Sequence, residues 1–280
     1  MSGSRSCVAA IGTKIGTDLT VIGVLDGEGT EPVYLVLQDQ NWCPMACKVF
    51  PSFELAEREA GVLSTLAHPN IVPVLGAVPP GHLLMPVLDW PTLGELLKTV
   101  RGRRRLGISD ALRIAIQIGS ALNHVHDRGY LHLGVNSRNI IMTPGGEPIL
   151  FNFGSARRIG APRPADVIDN EACIASDEYR SGEAGTATDV FGLGTTLYHM
   201  LAGKPPFPAG SRKIGTPAPW QEPGPVRRHR RGVSAALENL VFACLERSPA
   251  YRPELYELLP ALNDMIRSGA RVLSKSCTSA

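Results

Sequence analysis

From Arg128 through Gly146 the chain has neither Asp nor Glu. No carboxylate is available there to accept a proton or to bind a hard cation. Other absences narrow the field. The six cysteines (Cys7, Cys43, Cys47, Cys173, Cys244, Cys277) include no C-x-x-C pair, and no His or second Cys pair follows Cys43 and Cys47 at metal spacing. A disulfide framework and a zinc site are therefore not expected, and a reducing cytosol is the natural compartment. The apolar stretch from Ile71 to Leu88 is interrupted by Pro73, Pro79, Pro80 and Pro86, which excludes it as a membrane span. The start, "MSGSRSCVAAIG", is too weakly apolar for a secretory signal. Charge of either sign is nearly balanced at a formal +2, which argues against a dedicated nucleic-acid binder. These absences predict a soluble cytoplasmic protein.

The 280 residues give room for one large domain or two lobes with a sizeable core. From Leu19 to Phe50, apolar runs ("LTVIGVL", "VYLVLQ", "PMACKVF") alternate with turn residues ("GEGTEP", "DQNW"), which predicts three strands. The rhythm becomes helical from Phe53 to Leu66, with Leu55, Ala56, Ala60, Leu63 and Leu66 beside Glu54, Glu57, Arg58 and Glu59. "NIVPVLGAV" and "HLLMPVL" read as two more strands, so the first ninety or so residues predict a small sheet with one helix.

Beyond Trp90 the pattern is mainly helical. Ser109 suits the cap of a helix carrying Leu112, Ala115, Ile116, Ile118, Leu122 and Val125, with Gly129 at its end. "NIIM" and "PILF" flank Gly145 and Gly146 as a hairpin. A helix over about Thr188 to Leu201 is stopped by Gly203, Pro205 and Pro206. The Pro-, Gly- and Arg-rich segment from Pro208 to Gly232 reads as loop, "SAALENLVFACLE" and "RPELYELLPALNDMI" as the last two helices, and the chain after Ser268 as a frayed tail. The basic runs Arg101 to Arg105 and Arg227 to Arg231 read as solvated loops in preference to docking surfaces.

The order of short motifs is more specific than any one of them. "GEGT" (Gly27 to Thr30) lies between two strands, and "ACK" ends the third strand at Lys48. Glu59 precedes "HPNIV", and then come "HLGVNSRN", "FNFG", "SDE", "TDVFGLG" and Arg252 in "YRPE". This series, with its spacing from Asn139 to Asn152, resembles the eukaryotic-type protein kinase family over about residues 18 to 266, and "ATDVFGLGTTLYHMLAGKPPF" is similar to bacterial serine/threonine kinase-like proteins. The resemblance implies an α+β, bilobal fold with a small β-rich N-lobe carrying one helix and a larger, mainly α-helical C-lobe. Its boundaries would be an extension at 1–17, N-lobe and hinge at 18–92, C-lobe at 93–266 and a tail at 267–280.

By position, the resemblance places Gly27 and Gly29 over the nucleotide phosphates, with the Pro32 region where the family has a third glycine. Proline has no N–H to offer a phosphate, so the grip should be weaker. Lys48 would face the phosphates and Glu59 would hold Lys48. The hinge would span Pro86 to Thr92, with Met85 as gatekeeper and Leu88 beside the nucleotide base. The family's His-Arg-Asp-Leu-Lys-x-x-Asn reads His132, Leu133, Gly134, Val135, Asn136, Ser137, Arg138, Asn139. Gly134 stands at the catalytic base, Asn136 at the catalytic-loop lysine, and Leu133 at the arginine that reads phosphorylation. The metal-binding Asp is Asn152, leaving Asn139 and Asn152 as a vestigial metal pair with two amides and no carboxylate. A positioned base contributes ~10²–10⁴-fold to rate. His132 is the one alternative base nearby, but the resemblance turns it into the core.

The resemblance also assigns supports. Glu178 and Arg252 would form an ion pair, Asp189 would anchor the catalytic-loop backbone, and Leu63, Val74, His132 and Phe153 would stack as core. Together these imply a pseudokinase that regulates or scaffolds a protein partner, an active kinase or another signalling protein. It would have no nucleic-acid partner, no catalytic residue, no required cofactor, and ATP binding that is weak and largely magnesium-independent. The alternatives are a divergent Ser/Thr protein kinase with residual phosphotransfer, and a paralogue that binds no nucleotide.

Overall fold

A computed structural model of the protein describes residues 10–26, 31–99, 102–103, 105–161, 184–207 and 222–277. The chain divides into two units between Trp90 and Pro91, except that His68–Asn70 belongs with the second.

The first unit is a six-stranded antiparallel sheet with one helix. Its strands are β1 (Lys14–Ile15), β2 (Leu19–Asp26), β3 (Val33–Gln38), β4 (Pro44–Val49), β5 (Gly76–Val78) and β6 (His82–Met85), in the order β1-β2-β3-β4-β6-β5. The alternating residues Leu19, Val21, Tyr34, Val36, Met45 and Cys47 fill one face, joined by Ile15. Burying such side chains stabilises by about 1.5–3 kcal/mol each. Two register shifts, at Val21/Gly23 and Val24/Asp26, interrupt the β2–β3 ladder. The helix α1 (Phe53–Leu63) buries Ala56, Glu59, Ala60, Val62 and Leu63. It ends before the expected Leu66, because the amides of Thr65 and Leu66 turn back to the carbonyls of Val62 and Leu63 and the Thr65 hydroxyl also bonds Val62.

The second unit is mainly helical. Its helices are α2 (Leu93–Leu97), α3 (Ile108–Asp127), α4 (Thr186–Ala202), α5 (Val226–His229), α6 (Ala235–Cys244) and α7 (Leu255–Cys277). Its short strands are β7 (Lys98–Thr99), β8 (Gly102–Arg103), β9 (Tyr130–Leu131), β10 (Ile140–Met142), β11 (Pro148–Leu150) and β12 (Arg157–Arg158). Strands β10 and β11 form the hairpin signalled by Gly145 and Gly146, with Met142 opposite Pro148. The chain from His68 to Asn70 is tied in by Asn70, whose Nδ2 donates to the Pro148 carbonyl at 2.7 Å and whose own carbonyl accepts from Leu150 N at 2.8 Å.

Helix α4 is the axis of this unit. On it, a Cβ at Gly192 would come within 2.8 Å of Val135, and one at Gly194 within 2.5 Å of Cys244. The glycines of "FGLG" thus let the helix lie against both the loop after β9 and α6. Gly203, in the left-handed region at φ 74°, ends α4 as expected.

Several expectations need correction. Ser109 does not cap α3: the helix begins at Ile108, so Ser109 lies within its first turn and Gly107 is the cap. The segment after Pro208 is not all loop. Its part at 208–221 lies outside the described residues, and Val226–His229 forms α5, whose Arg227 N–H is received by the Glu238 carboxylate at 2.8 Å. The basic run there is therefore partly helical. It also meets the other basic run: Arg105 donates to the His229 carbonyl and Arg230 to the Leu106 carbonyl. The chain does not fray at Ser268, since α7 continues to Cys277. Among the described residues no helix is long and apolar enough to cross a membrane.

Candidate functional site

Strand β4 carries Lys48 at its buried end. The side chain reaches the α1 carboxylate of Glu59, with Nζ 2.9 Å from Oε2. Lys48 is 6% exposed and Glu59 2%. A second carboxylate, Glu31 Oε2, also stands 2.9 Å from the ammonium, and the Phe50 ring lies 4.6 Å from it. Burial alone would push the lysine pKa down, but Glu59 and Glu31 outweigh it and hold it above its ordinary value. The two carboxylates thus favour the charged ammonium at a buried position.

In the second unit, the loop from His132 to Asn139 is folded on itself by neutral groups. The imidazole Nδ1 of His132 accepts from Gly134 N at 3.0 Å, so Nε2 carries the proton and donates to the Phe151 carbonyl at 3.2 Å. Both ring nitrogens are engaged, the residue is wholly buried, and burial lowers its pKa. His132 is therefore not presented as a base. Its ring packs edge-on against Phe153 at 4.5 Å.

The carbonyl of Gly134 receives two amides, Asn136 Nδ2 at 3.1 Å and Asn139 Nδ2 at 2.7 Å. Asn136 uses its oxygen to accept Arg138 N at 2.7 Å, capping the short turn at Ser137–Asn139. Its side chain therefore points into the loop. Because Asn139 spends its nitrogen on Gly134, its Oδ1 is the acceptor toward Asn152, whose Nδ2 donates at 3.1 Å. Asn152 itself sits in the left-handed region at φ 64°, which Asn tolerates better than most residues. A Cβ at Gly134 would meet His132 and Asn139 at 3.2–3.4 Å, a tight but yielding fit.

One carboxylate supports this loop from behind. Asp189 on α4 accepts His132 N at 2.9 Å, Leu133 N at 2.8 Å and His126 Nε2 at 2.9 Å. Leu133 has φ 57°, a strained value for a branched side chain that costs on the order of 1–3 kcal/mol, and the Asp189 bond holds it there. Burial pushes the Asp189 pKa up, but bonds from His126 and the backbone more than reverse this and keep it below the usual carboxylate value. Arg252, 6% exposed, donates to the carbonyls of Glu246 (2.8 Å), Ala187 (3.0 Å) and Arg247 (3.1 Å) and lies over the Phe191 ring.

The structure thus joins Lys48 to Glu59, and Gly134, Asn136, Asn139 and Asn152 to one another. Met85 ends β6 opposite Ala46, and Leu88 follows it, both half-buried. Leu63 and Phe153 are buried and Val74 half-buried. Gly27, Gly29 and Glu178 lie outside the described residues, so the Gly-rich turn and the Glu178–Arg252 pair have no structural account here. Sequence reasoning missed Glu31 and His126. No spacing rule marks either, because each acts by tertiary approach.

The protein kinase domain model matches residues 25–261. The chain is 28% identical over 248 residues to the serine/threonine-protein kinase Nek3 of Mus musculus, covering 86% of this chain and 48% of that protein. It is 31% identical over 211 residues to the serine/threonine-protein kinase PkaA of Streptomyces coelicolor, covering 73% and 38%. To the serine/threonine-protein kinase PknB of Mycobacterium tuberculosis it is 28% identical over 216 residues, covering 72% and 34%. The chain spans under half the length of each of these relatives. With a sheet-rich unit, a helical unit and a family match over most of its length, the chain belongs to the protein kinase domain family.

Proposed function

We propose that the chain is a pseudokinase, a cytoplasmic kinase-fold protein that regulates or scaffolds a protein partner and does not transfer phosphate. One observation carries this reading: the loop that holds the reacting groups in this family is closed by neutral amides around the Gly134 carbonyl. Gly134 offers no base, and the Asn136 amide is used within the loop, capping a turn and bonding the Gly134 carbonyl. Glu147, the next carboxylate along the chain, bonds Thr143 within the β10–β11 turn. The retained supports, Asp189 and Arg252, serve assembly of the fold, which a binding module needs as much as an enzyme does.

The family uses ATP with magnesium. Asn139 and Asn152 suit that metal poorly, because Mg²⁺ favours carboxylate oxygens and the Asn139 oxygen already accepts the Asn152 amide. The Lys48–Glu59 pair favours a residual affinity for nucleotide phosphates, weak and largely independent of magnesium, and is also the feature that a divergent kinase would keep. Phosphotransfer from labelled ATP to generic protein substrates, and to the chain itself, tests the choice. The expected result is no transfer above background. Transfer that is lost in Lys48→Met, in protein free of contaminating kinase, overturns the reading.

A further inference from the structure

The Lys48 ammonium faces two carboxylates where one would neutralise it. Glu59, on α1, is the buried partner, and with its side chain 2% exposed it is part of the core. Glu31 is different. It precedes β3, its side chain is 34% exposed, and it lies at the same 2.9 Å from Nζ. Glu59 by itself matches the single positive charge of Lys48.

A carboxylate oxygen and a phosphate oxygen are equivalent ligands to an ammonium, both anionic and both strong acceptors. With Phe50 against a further side, the approaches to Nζ set by Glu59, Glu31 and the ring are taken before any ligand arrives. Glu31 adds a second carboxylate to the Lys48–Glu59 pair, so a polyphosphate approaching Nζ meets an anion already bonded to it.

We propose that Glu31 is an internal competitor for nucleotide phosphates: its carboxylate holds the Lys48 ammonium in the place of a phosphate oxygen, so a nucleotide binds there only by displacing it. The proposal rests on the reading of Lys48 as the phosphate-facing cation. It assigns weak nucleotide affinity to a specific residue, distinct from the neutral amides of the second unit. The partly exposed position of Glu31 makes displacement feasible, because the released carboxylate turns into water without crossing the core.

Calorimetric titration of the unaltered chain, Glu31→Gln and Glu31→Ala with metal-free ATP, and with adenosine as the phosphate-free probe, tests this. Glu31→Gln keeps the shape and removes the charge, and both changes lie at a partly exposed position that leaves the core intact. ATP affinity is expected to rise on the order of tenfold in both variants, with adenosine affinity changing by less than about twofold. Equal ATP affinity in all three proteins, an equal rise for adenosine, or no ATP binding by any of them would overturn the proposal and leave the pseudokinase reading standing. A separate titration of the unaltered chain with ATP plus magnesium tests that reading: tight binding only when magnesium is present counts against it.

Discussion

The surroundings of Lys48 and the surroundings of Asn139 differ in one respect, charge. Around Lys48 an ammonium and two carboxylates lie within 2.9 Å of contact, two of the three deeply buried. Around Asn139 the side-chain partners are the Gly134 carbonyl and the Asn152 amide, both neutral. The difference shows what each place is required to do for the fold. Changing one member of a buried ion pair strands the other, so the pair persists or disappears as a unit. A neutral loop has no such constraint. Its groups can satisfy one another through hydrogen bonds, and losing a charge there leaves the framework standing. Asp189 lies behind the neutral loop yet is charged, because it accepts two successive backbone amides, one of them from the strained Leu133.

The comparison is broken most severely by removing that carboxylate. Asp189→Ala leaves the amides of His132 and Leu133 without their acceptor at a site 1% exposed and releases the strain held at Leu133. The expected loss is about 3–5 kcal/mol of unfolding free energy, read from denaturant midpoints. The same group gives a pH signature. Its folded pKa lies below the unfolded value near 3.8, so its contribution is full above that pH and is lost as pH falls through the lower, folded value. Asp189→Asn should therefore flatten the acid limb of the stability profile. An unchanged midpoint and an unchanged acid limb would show that the loop holds itself.

On the charged side, Lys48→Met is the matching test. It leaves Glu59 buried without its counter-ion, and a loss of about 2–3 kcal/mol is expected, below the cost of a fully buried pair because Glu31 can turn to water. The double change Lys48→Met with Glu59→Leu should recover most of the loss in thermal unfolding, as expected for a pair held together by burial. No recovery would mean that the two residues stabilise the sheet separately.

Arg252 is the intermediate case, a buried charge that bonds backbone carbonyls. Arg252→Ala removes three donors and the contact with Phe191, for a loss of about 2 kcal/mol. Arg252→Lys should not restore it, because an ammonium cannot reach three carbonyls with a planar fork. Equal midpoints for Lys and Arg would reduce its role to charge alone.

Much of this was legible in the sequence, and the exceptions have physical causes. Strands β2 to β4 and helix α1 follow apolar rhythms that burial enforces. The two-residue strand β1 is too short to show a period. Helix α2 is five residues long, yet Thr92 and Glu95 form a capping box that its sequence does display, with Glu95 N on Thr92 Oγ1 at 3.1 Å. Helix α5 has one buried residue, Val226, and depends on Glu238 from α6, so no local pattern announces it. At the candidate site, the order of motifs along the chain singles out Lys48, Glu59, Asn139, Asn152 and Asp189, whose contacts the structure describes. Glu31 and His126 were not, because each gains its role from a residue distant in sequence.

The smallest expected effect is the sharpest test of the neutral side. Asn152 Nδ2 donates to Asn139 Oδ1, and Asn139 is fixed in that orientation by its bond to Gly134. Asn152→Asp replaces the donor by a second acceptor, so two oxygens face each other where an amide bridged them. Without a cation the variant should lose about 1 kcal/mol, the net worth of one hydrogen bond. With magnesium the same two oxygens become a ligand pair that includes a carboxylate, and ligand at about four times Kd returns ~1 kcal/mol. The unaltered chain has no such pair to offer. Thermal midpoints with and without magnesium should therefore separate for Asn152→Asp and coincide for the unaltered chain. Phosphotransfer should stay absent in both, because Gly134 still provides no base. A magnesium-dependent midpoint in the unaltered chain would show that the amide bridge opens readily to a metal, and the contrast between the two regions would fail.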